Sequence, residues 1–414
     1  MNHTLGETAV LALREPPQQS GGETLADGAR GSFKARVPAV VEIAAAHADA
    51  VDRTARFPEE AFAAIRAQRL LSIMLPAEFG GEGASLSDVV DICYQLGQAC
   101  ASTAMIFAMH QSCVACVLRH GRGNAWHEAL LRRLADEQLL FASSTTEGQA
   151  GGNVRSSAAA VDYSDGEIRL DRAATVVSYG AQADAIITTA RRAAEAAATD
   201  QVLVAFHKSD YALAPTVGWD ALGMRGTCSS GFDLKASGRA EQILPEPYER
   251  IHPLSMVPVS HLAWSGVWAG IAAAAVERAR AFVRRASRQS NGTLPPGAMH
   301  LAKATASLHT LRGLIATALR SYERSADDAT TLTSREFQTM INLTKVQASE
   351  TAVAIVLETA RTCGLAGYRN DSEFSIGRHL RDVLSSPIMI SNDRILANLA
   401  ATTLLTAVPS SLSE

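Results

Sequence analysis

The feature that most constrains this chain is a change of texture in its middle. From Leu139 to about Leu244 the sequence runs through "LLFASST", "EIRLDRAATVVS", "DAIITTARR", "QVLVAFH" and "SGFDLKASG". These short apolar runs, separated by Gly, Asp and Ser, predict strands. On either side the period is helical. In "RFPEEAFAAIRAQRLLSIML", Pro58 stands where a helix can start, acidic residues follow, and Phe62, Ile65 and Leu70 recur at helical spacing. Beyond the strand-like region come long Ala-rich amphipathic segments, interrupted by the turn-rich "RQSNGTLPPGAMH". The order predicts a mainly α protein with a middle β domain. Its parts are a mobile arm over 1–33, an α domain over 34–138, a β domain over 139–245 and a helical bundle domain over 246–414.

Bulk properties narrow the function. A chain of 414 residues is too long for one simple core. It is 47% hydrophobic and 19% charged, with a net charge of -4 and a pI near 6.3. That balance forces no basic face, so a nucleic-acid partner is not expected. Six cysteines are dispersed with no apparent disulfide framework. The first residues lack the basic and apolar regions of a secretory signal. The longest apolar run, around "LAWSGVWAGIAAAAVERA", is expected to fall short of a membrane span and ends in charge. The expected location is the cytoplasm, with thiols reduced and no membrane partner.

Three stretches invite a chemical reading. His110, Cys113 and Cys116 lie on one face of a predicted helix. A metal site would need a fourth ligand, so a buried helix face is the better account. "TTEGQAGGNVRS" follows a strand-like run, and Gly148, Gly151 and Gly152 would let backbone amides approach a flat or anionic ligand. "GWDALGMRGTCSSGFDL" reads on its own as a corner of the β domain.

Taken in order with "FPEEAFAAIRAQRLLSIMLPAEFGGEGASLSDVV" and "CGLAGYRNDSEFSIGRHLRDV", these segments resemble the acyl-CoA dehydrogenase superfamily from about residue 34 to about residue 400. The resemblance implies an N-terminal α domain, a middle β domain and a C-terminal four-helix bundle. It implies FAD held between the last two, and a homodimer or homotetramer. By resemblance, Ser144 to Thr146 run along the flavin ring, and Val176 and Ser178 flank its other side. Gly152 would line the substrate pocket. Arg288, Gly364 and Gly367 would reach the flavin of a neighbouring subunit. Asn392 and Arg394 would contact the phosphates, where guanidinium forks suit a pyrophosphate.

The departures from the family carry more information. Its usual catalytic glutamate corresponds to Ile390, and an alternative glutamate to a position near Ser260. A tryptophan beside the flavin corresponds to Val176, and an arginine to His261. General-base catalysis is worth ~10²–10⁴-fold, and isoleucine accepts no proton. Three accounts follow. The first is a flavin-dependent oxygenase or oxidase using O2 on an acyl-CoA thioester or an aromatic substrate, the redox partner being a flavin reductase or an electron acceptor. The second is a dehydrogenase with a relocated base, the candidates being His261, Asp393 and Glu147. The third is a non-catalytic FAD-binding scaffold.

Overall fold

A computed structural model describes residues 32–147 and 154–404. The chain opens with five helices, α1 (Phe33–Thr54), α2 (Glu59–Ala67), α3 (Leu86–Ala99), α4 (Ala101–His120) and α5 (Ala125–Glu137). Their starts are written in the sequence. Ser85 and Asp88 form a reciprocal capping box on α3, and Asn124 accepts from the amides of Trp126 and His127 at α5.

The strands are β1 (Phe141–Ser144), β2 (Asp162–Ser164), β3 (Glu167–Val177), β4 (Ala185–Arg191), β5 (Gln201–His207), β6 (Tyr211–Val217) and β7 (Ser230–Arg239). They form one sheet in the order β1-β4-β5 and another in the order β2-β3-β7-β6. In the first, β1 runs parallel to β4, and β4 and β5 are buried over nearly their whole length. Both faces are therefore covered. In the second, β3 alternates inward and outward residues and breaks register between Ala174 and Val177.

The remainder is helical: α6 (Tyr248–Ile251), a π turn over His252–Met256, α7 (Val257–Gln289), α8 (Ala298–Arg324), α9 (Ala329–Thr333), α10 (Arg335–Cys363), α11 (Leu365–Tyr368), α12 (Gly377–Val383) and α13 (Asn392–Thr403). Helix α7 packs along both α3 and α10 and also meets α4 and α8. The mainly α architecture with a middle β domain is therefore the one the sequence pattern implied.

One expectation is corrected. The sequence pattern implies an apolar run at α7 too short for a membrane, yet the continuous helix Tyr248–Gln289 is long and apolar enough to cross one, as is Ala101–His120. What assigns both to the protein core is burial, at 94% and 89% of their most apolar windows.

Backbone contact explains the glycines of "SGVWAGIAA". A Cβ on Gly270 would lie 2.3 Å from the Tyr94 carbonyl oxygen, and one on Gly97 would lie 2.6 Å from that of Val267. Helices α3 and α7 therefore touch backbone to backbone, and no side chain fits between them. The three regions are further tied by α12. Arg378 donates to the Ala99 carbonyl at 3.2 Å and pairs with Asp49 at 3.1 Å. Arg381 pairs with Asp52 and donates to the Leu222 carbonyl at 3.1 Å. The buried Asp382 accepts from the Met224 amide at 2.7 Å, and burial raises its carboxyl to about 6.

Gly270→Leu is expected to destabilise the fold by about 3 kcal/mol or more, because backbone on both sides must move. Chemical denaturation would check this, and an unchanged midpoint would contradict the close contact.

Candidate active site

On the strand side, the ends of β1 and β3 meet. His110 on α4 fixes the start of β1: its Nε2 contacts the Leu71 carbonyl at 2.8 Å and its Nδ1 accepts from the Phe141 amide at 3.0 Å. Both ring nitrogens are thus engaged, and Cys113 and Cys116 lie buried on the same helix. The Tyr179 hydroxyl donates to the Phe141 carbonyl at 2.9 Å, linking the segment after β3 to β1. Ser178 Oγ lies 2.8 Å from Ser229 Oγ, which in turn meets Thr227 Oγ1 at 2.8 Å. Thr188 Oγ1 donates to the Ser144 carbonyl at 2.8 Å. The Ser144 hydroxyl itself is buried and has no hydrogen-bond partner among the described residues. Thr146 is half-buried, and Val176 stands 43% exposed at the register break in β3. Gly152 lies outside the described residues.

Glu147 is committed elsewhere. It accepts from the Ala158 amide and from the Ala159 amide at 3.3 Å, and lies 3.1 Å from Arg172 Nη1 in a pair buried on both sides. Its carboxylate oxygens are thus taken up by a buried guanidinium and two backbone amides.

On the bundle side, the first turns of α7, following the π turn, carry Ser260 and His261, both buried. Local π geometry frequently marks functional positions. His261 packs against Trp264, ring centroids 5.7 Å apart. Three buried nitrogens on α7 have no hydrogen-bond partner among the described residues: His261 Nδ1, Trp264 Nε1 and Trp268 Nε1. Their spacing places them along one side of the helix. Ile390 is half-buried, with φ +48°.

A residue that the sequence reading passed over joins these parts. Lys345 on α10 is fully buried. Its Nζ donates to the carbonyls of Ser386 (3.2 Å) and Ile390 (2.9 Å) and to Asn392 Oδ1 (2.7 Å), and lies 5.5 Å from the Trp268 ring. A signal existed: Ile341, Lys345, Ala348, Ala352 and Ile355 share one helical stripe, which the lysine interrupts.

The other candidates divide between the Lys345 network and exposed positions near helix ends. Asn392 is buried, with its amide bonded to Ser349 and Glu350. Asp393 is exposed in the first turn of α13, where an acidic side chain suits the helix dipole. Arg394 is exposed beside it. Arg288 and Gly364 lie exposed near the C-terminal ends of α7 and α10, and Gly367 is buried just after Gly364. At 1.5 Å per residue, Arg288 is roughly 40 Å along α7 from His261.

Charge is arranged consistently around His261. Burial pushes its imidazole down to about 3, reinforced by the Lys345 cation and His252 and opposed by the Ile341 carbonyl. Burial and the Arg155 guanidinium bring His252 to about 4. Burial lowers Lys345 to about 8, against the pull of Glu350. At neutral pH the site therefore holds neutral imidazoles and a protonated lysine.

A flavin fits the residues present. The unsatisfied Ser144 hydroxyl offers a hydrogen bond to a ring edge, and the α7 indole N–H groups can donate to ring or substrate acceptors. Comparisons with known proteins agree. Residues 32–138 match the acyl-CoA dehydrogenase N-terminal domain and residues 256–405 the C-terminal domain. The chain belongs to this superfamily of flavin-dependent oxidoreductases. It is 28% identical to the L-evernosamine nitrososynthase of a Micromonospora species, covering 94% of this chain and 91% of that one. It is 27% identical to the amino sugar nitrososynthase DnmZ of Streptomyces peucetius, with coverages of 82% and 84%. Among solved structures, KijD3 in complex with FMN and a dTDP-3-amino-4-keto sugar superposes with a TM-score of 0.74 at 22% identity, covering 92% and 93%. FMN-bound TdsC from Paenibacillus sp. A11-2 gives 0.79 at 18% identity, covering 91% and 98%.

The buried histidines predict acid lability. His110 has its pKa lowered to about 4, and His261 to about 3. Both are near 6.5 once unfolded, so between these values the unfolded chain binds protons that the folded chain does not. Stability is therefore lost as pH falls from about 6.5 toward 4, by on the order of 3 kcal/mol per histidine. Thermal unfolding followed by circular dichroism should decline already between pH 6.5 and 5, above the range of ordinary carboxylates. A flat profile there would contradict the neutral buried rings.

Proposed function

We propose that this protein is a flavin-dependent oxygenase that uses O2 to oxygenate the amine of a nucleotide-linked amino sugar. The observation that carries this reading is the aliphatic Ile390, which by resemblance stands in the family's base position and whose carbonyl accepts from the Lys345 cation. Reduced flavin supplies the activation of O2, with one oxygen atom passing to substrate and the other leaving as water. The residues set the substrate's state. Neutral His261 and His252 beside a cation disfavour a second positive charge, so an entering amine is held as the free base with its lone pair available. The α7 donors can orient oxygen-rich substrate groups, which an alkyl chain lacks. The likeness to two nitrososynthases over most of the chain supports the amine substrate.

FAD is the cofactor of this reading, on the strength of Arg288 and Arg394, although two fold neighbours were solved with FMN. We place the electron supply in a separate flavin reductase. The exposed Leu365 and Tyr368, beside Gly364 and Gly367, support a homo-oligomer in which a second copy completes the site.

With reduced flavin, O2 and a dTDP-amino sugar, the expected result is O2 uptake and a product heavier by one oxygen atom. Anaerobic bleaching of the flavin by an acyl-CoA would instead establish the dehydrogenase reading. Titrating apoprotein with FAD and FMN decides between the two cofactors. Ile390→Glu should lower oxygenation at least tenfold, since a carboxylate would hold the amine as ammonium; full activity in that variant would contradict the free-base argument.

A further inference from the structure

We propose that Lys345 is a positioning residue: its buried ammonium clamps the turn between α12 and α13 and so sets Ile390 as a wall of the candidate active site. The inference rests on the flavin-site reading only for the identity of that wall.

Three observations carry it. First, an ammonium has three protons, and Lys345 spends each on the same turn: the Ser386 carbonyl, the Ile390 carbonyl and Asn392 Oδ1. These acceptors span the whole turn, from its first residues to the first residue of α13. Second, Ile390 occupies the left-handed region at φ +48°. A β-branched residue there is a strong outlier that persists only when its surroundings over-determine it. The hydrogen bond from Nζ to its own carbonyl is such a determinant. Third, the partners of the clamp are themselves fixed. Asn392 donates to Ser349 Oγ at 2.9 Å and to Glu350 at 3.2 Å, and Ser386 Oγ donates to the Ser349 carbonyl at 3.2 Å. Lys345, Ser349, Ser386 and Asn392 are all buried. A lysine used only to fill space would have no need of three aligned acceptors on one segment, and burying its charge carries a desolvation cost.

The same ammonium has a second effect. It stands beside Trp268 and depresses the basicity of His261. One side chain thus fixes the geometry of the wall and the sign of the charge behind it.

Hydrogen exchange of the apoprotein, read by mass spectrometry, tests the clamp directly. In Lys345→Met, which keeps length and loses all three donors, amides of residues 386–393 should exchange about tenfold faster, while those of α7 stay within about twofold. In the double variant Lys345→Met/Ile390→Asn, exchange should return toward wild type, because Asn tolerates the left-handed region. If Lys345→Met does not fold, Lys345→Gln, which keeps a donor, takes its place and should exchange at an intermediate rate. A turn as protected as wild type in the folded variant would overturn the proposal. So would loosening spread evenly over α7 and α10, which would make Lys345 a core filler, or a double variant as loose as the single one. In flavin-loaded protein, Lys345→Met should also shift the visible absorption band of the bound flavin, and an unmoved band would overturn the link to the site. Because the exchange arm needs no flavin or substrate, a clamped turn in a protein without oxygenase activity would sink the functional reading alone.

Discussion

The structure depends on the backbone contact between α3 and α7. Gly97 and Gly270 let two helices from different regions of the chain approach without intervening side chains. That contact fixes the axis of α7, and α7 in turn packs along α10. His261, Trp264 and Trp268 therefore hold their places because a pair of hydrogens stands where side chains would otherwise stand. Close-packed interiors transmit displacement rather than absorb it. The α12 joint works with this contact: Arg378, Arg381 and Asp382 reach the first helices and the β-domain corner at once.

On that scaffold the site is defined by what its groups are kept from doing. Desolvation holds His261 and His252 neutral, and Glu147 is consumed by Arg172 and two amides. Asp393 points into solvent at the start of α13. The second account, a dehydrogenase with a relocated base, thus meets one candidate weakened by burial, one already paired and one exposed to solvent. An oxygenase asks less of its side chains in proton transfer and more in shaping a dry pocket.

Periodicity made much of this legible. Alternation in "EIRLDRAATVV" gave a strand whose burial alternates as written, and "LSDVVDICYQLGQA" announced its helix through Ser85 and Asp88. The H-x-x-C-x-x-C face was readable as buried, but not that His110 would grip the start of β1, because that bond crosses the fold. Membrane length misled for a related reason: α7 is long enough to span a bilayer, and only its neighbours show where its apolar surface goes. Lys345 was missed because a lone lysine in an amphipathic helix normally marks the wet face. Its break in the apolar stripe was the available clue.

The thiols draw out one consequence of this packing. Cys93, Cys100, Cys113, Cys116 and Cys363 are buried, and Cys228 is partly so. Burial raises all of them, Cys113 to about 12 and Cys363 to about 11. Peroxide attacks the thiolate, and these sulfurs have almost none to offer. Whatever oxidant reaches the surface of this fold, its sulfur is kept protonated and five of its six thiols lie out of reach.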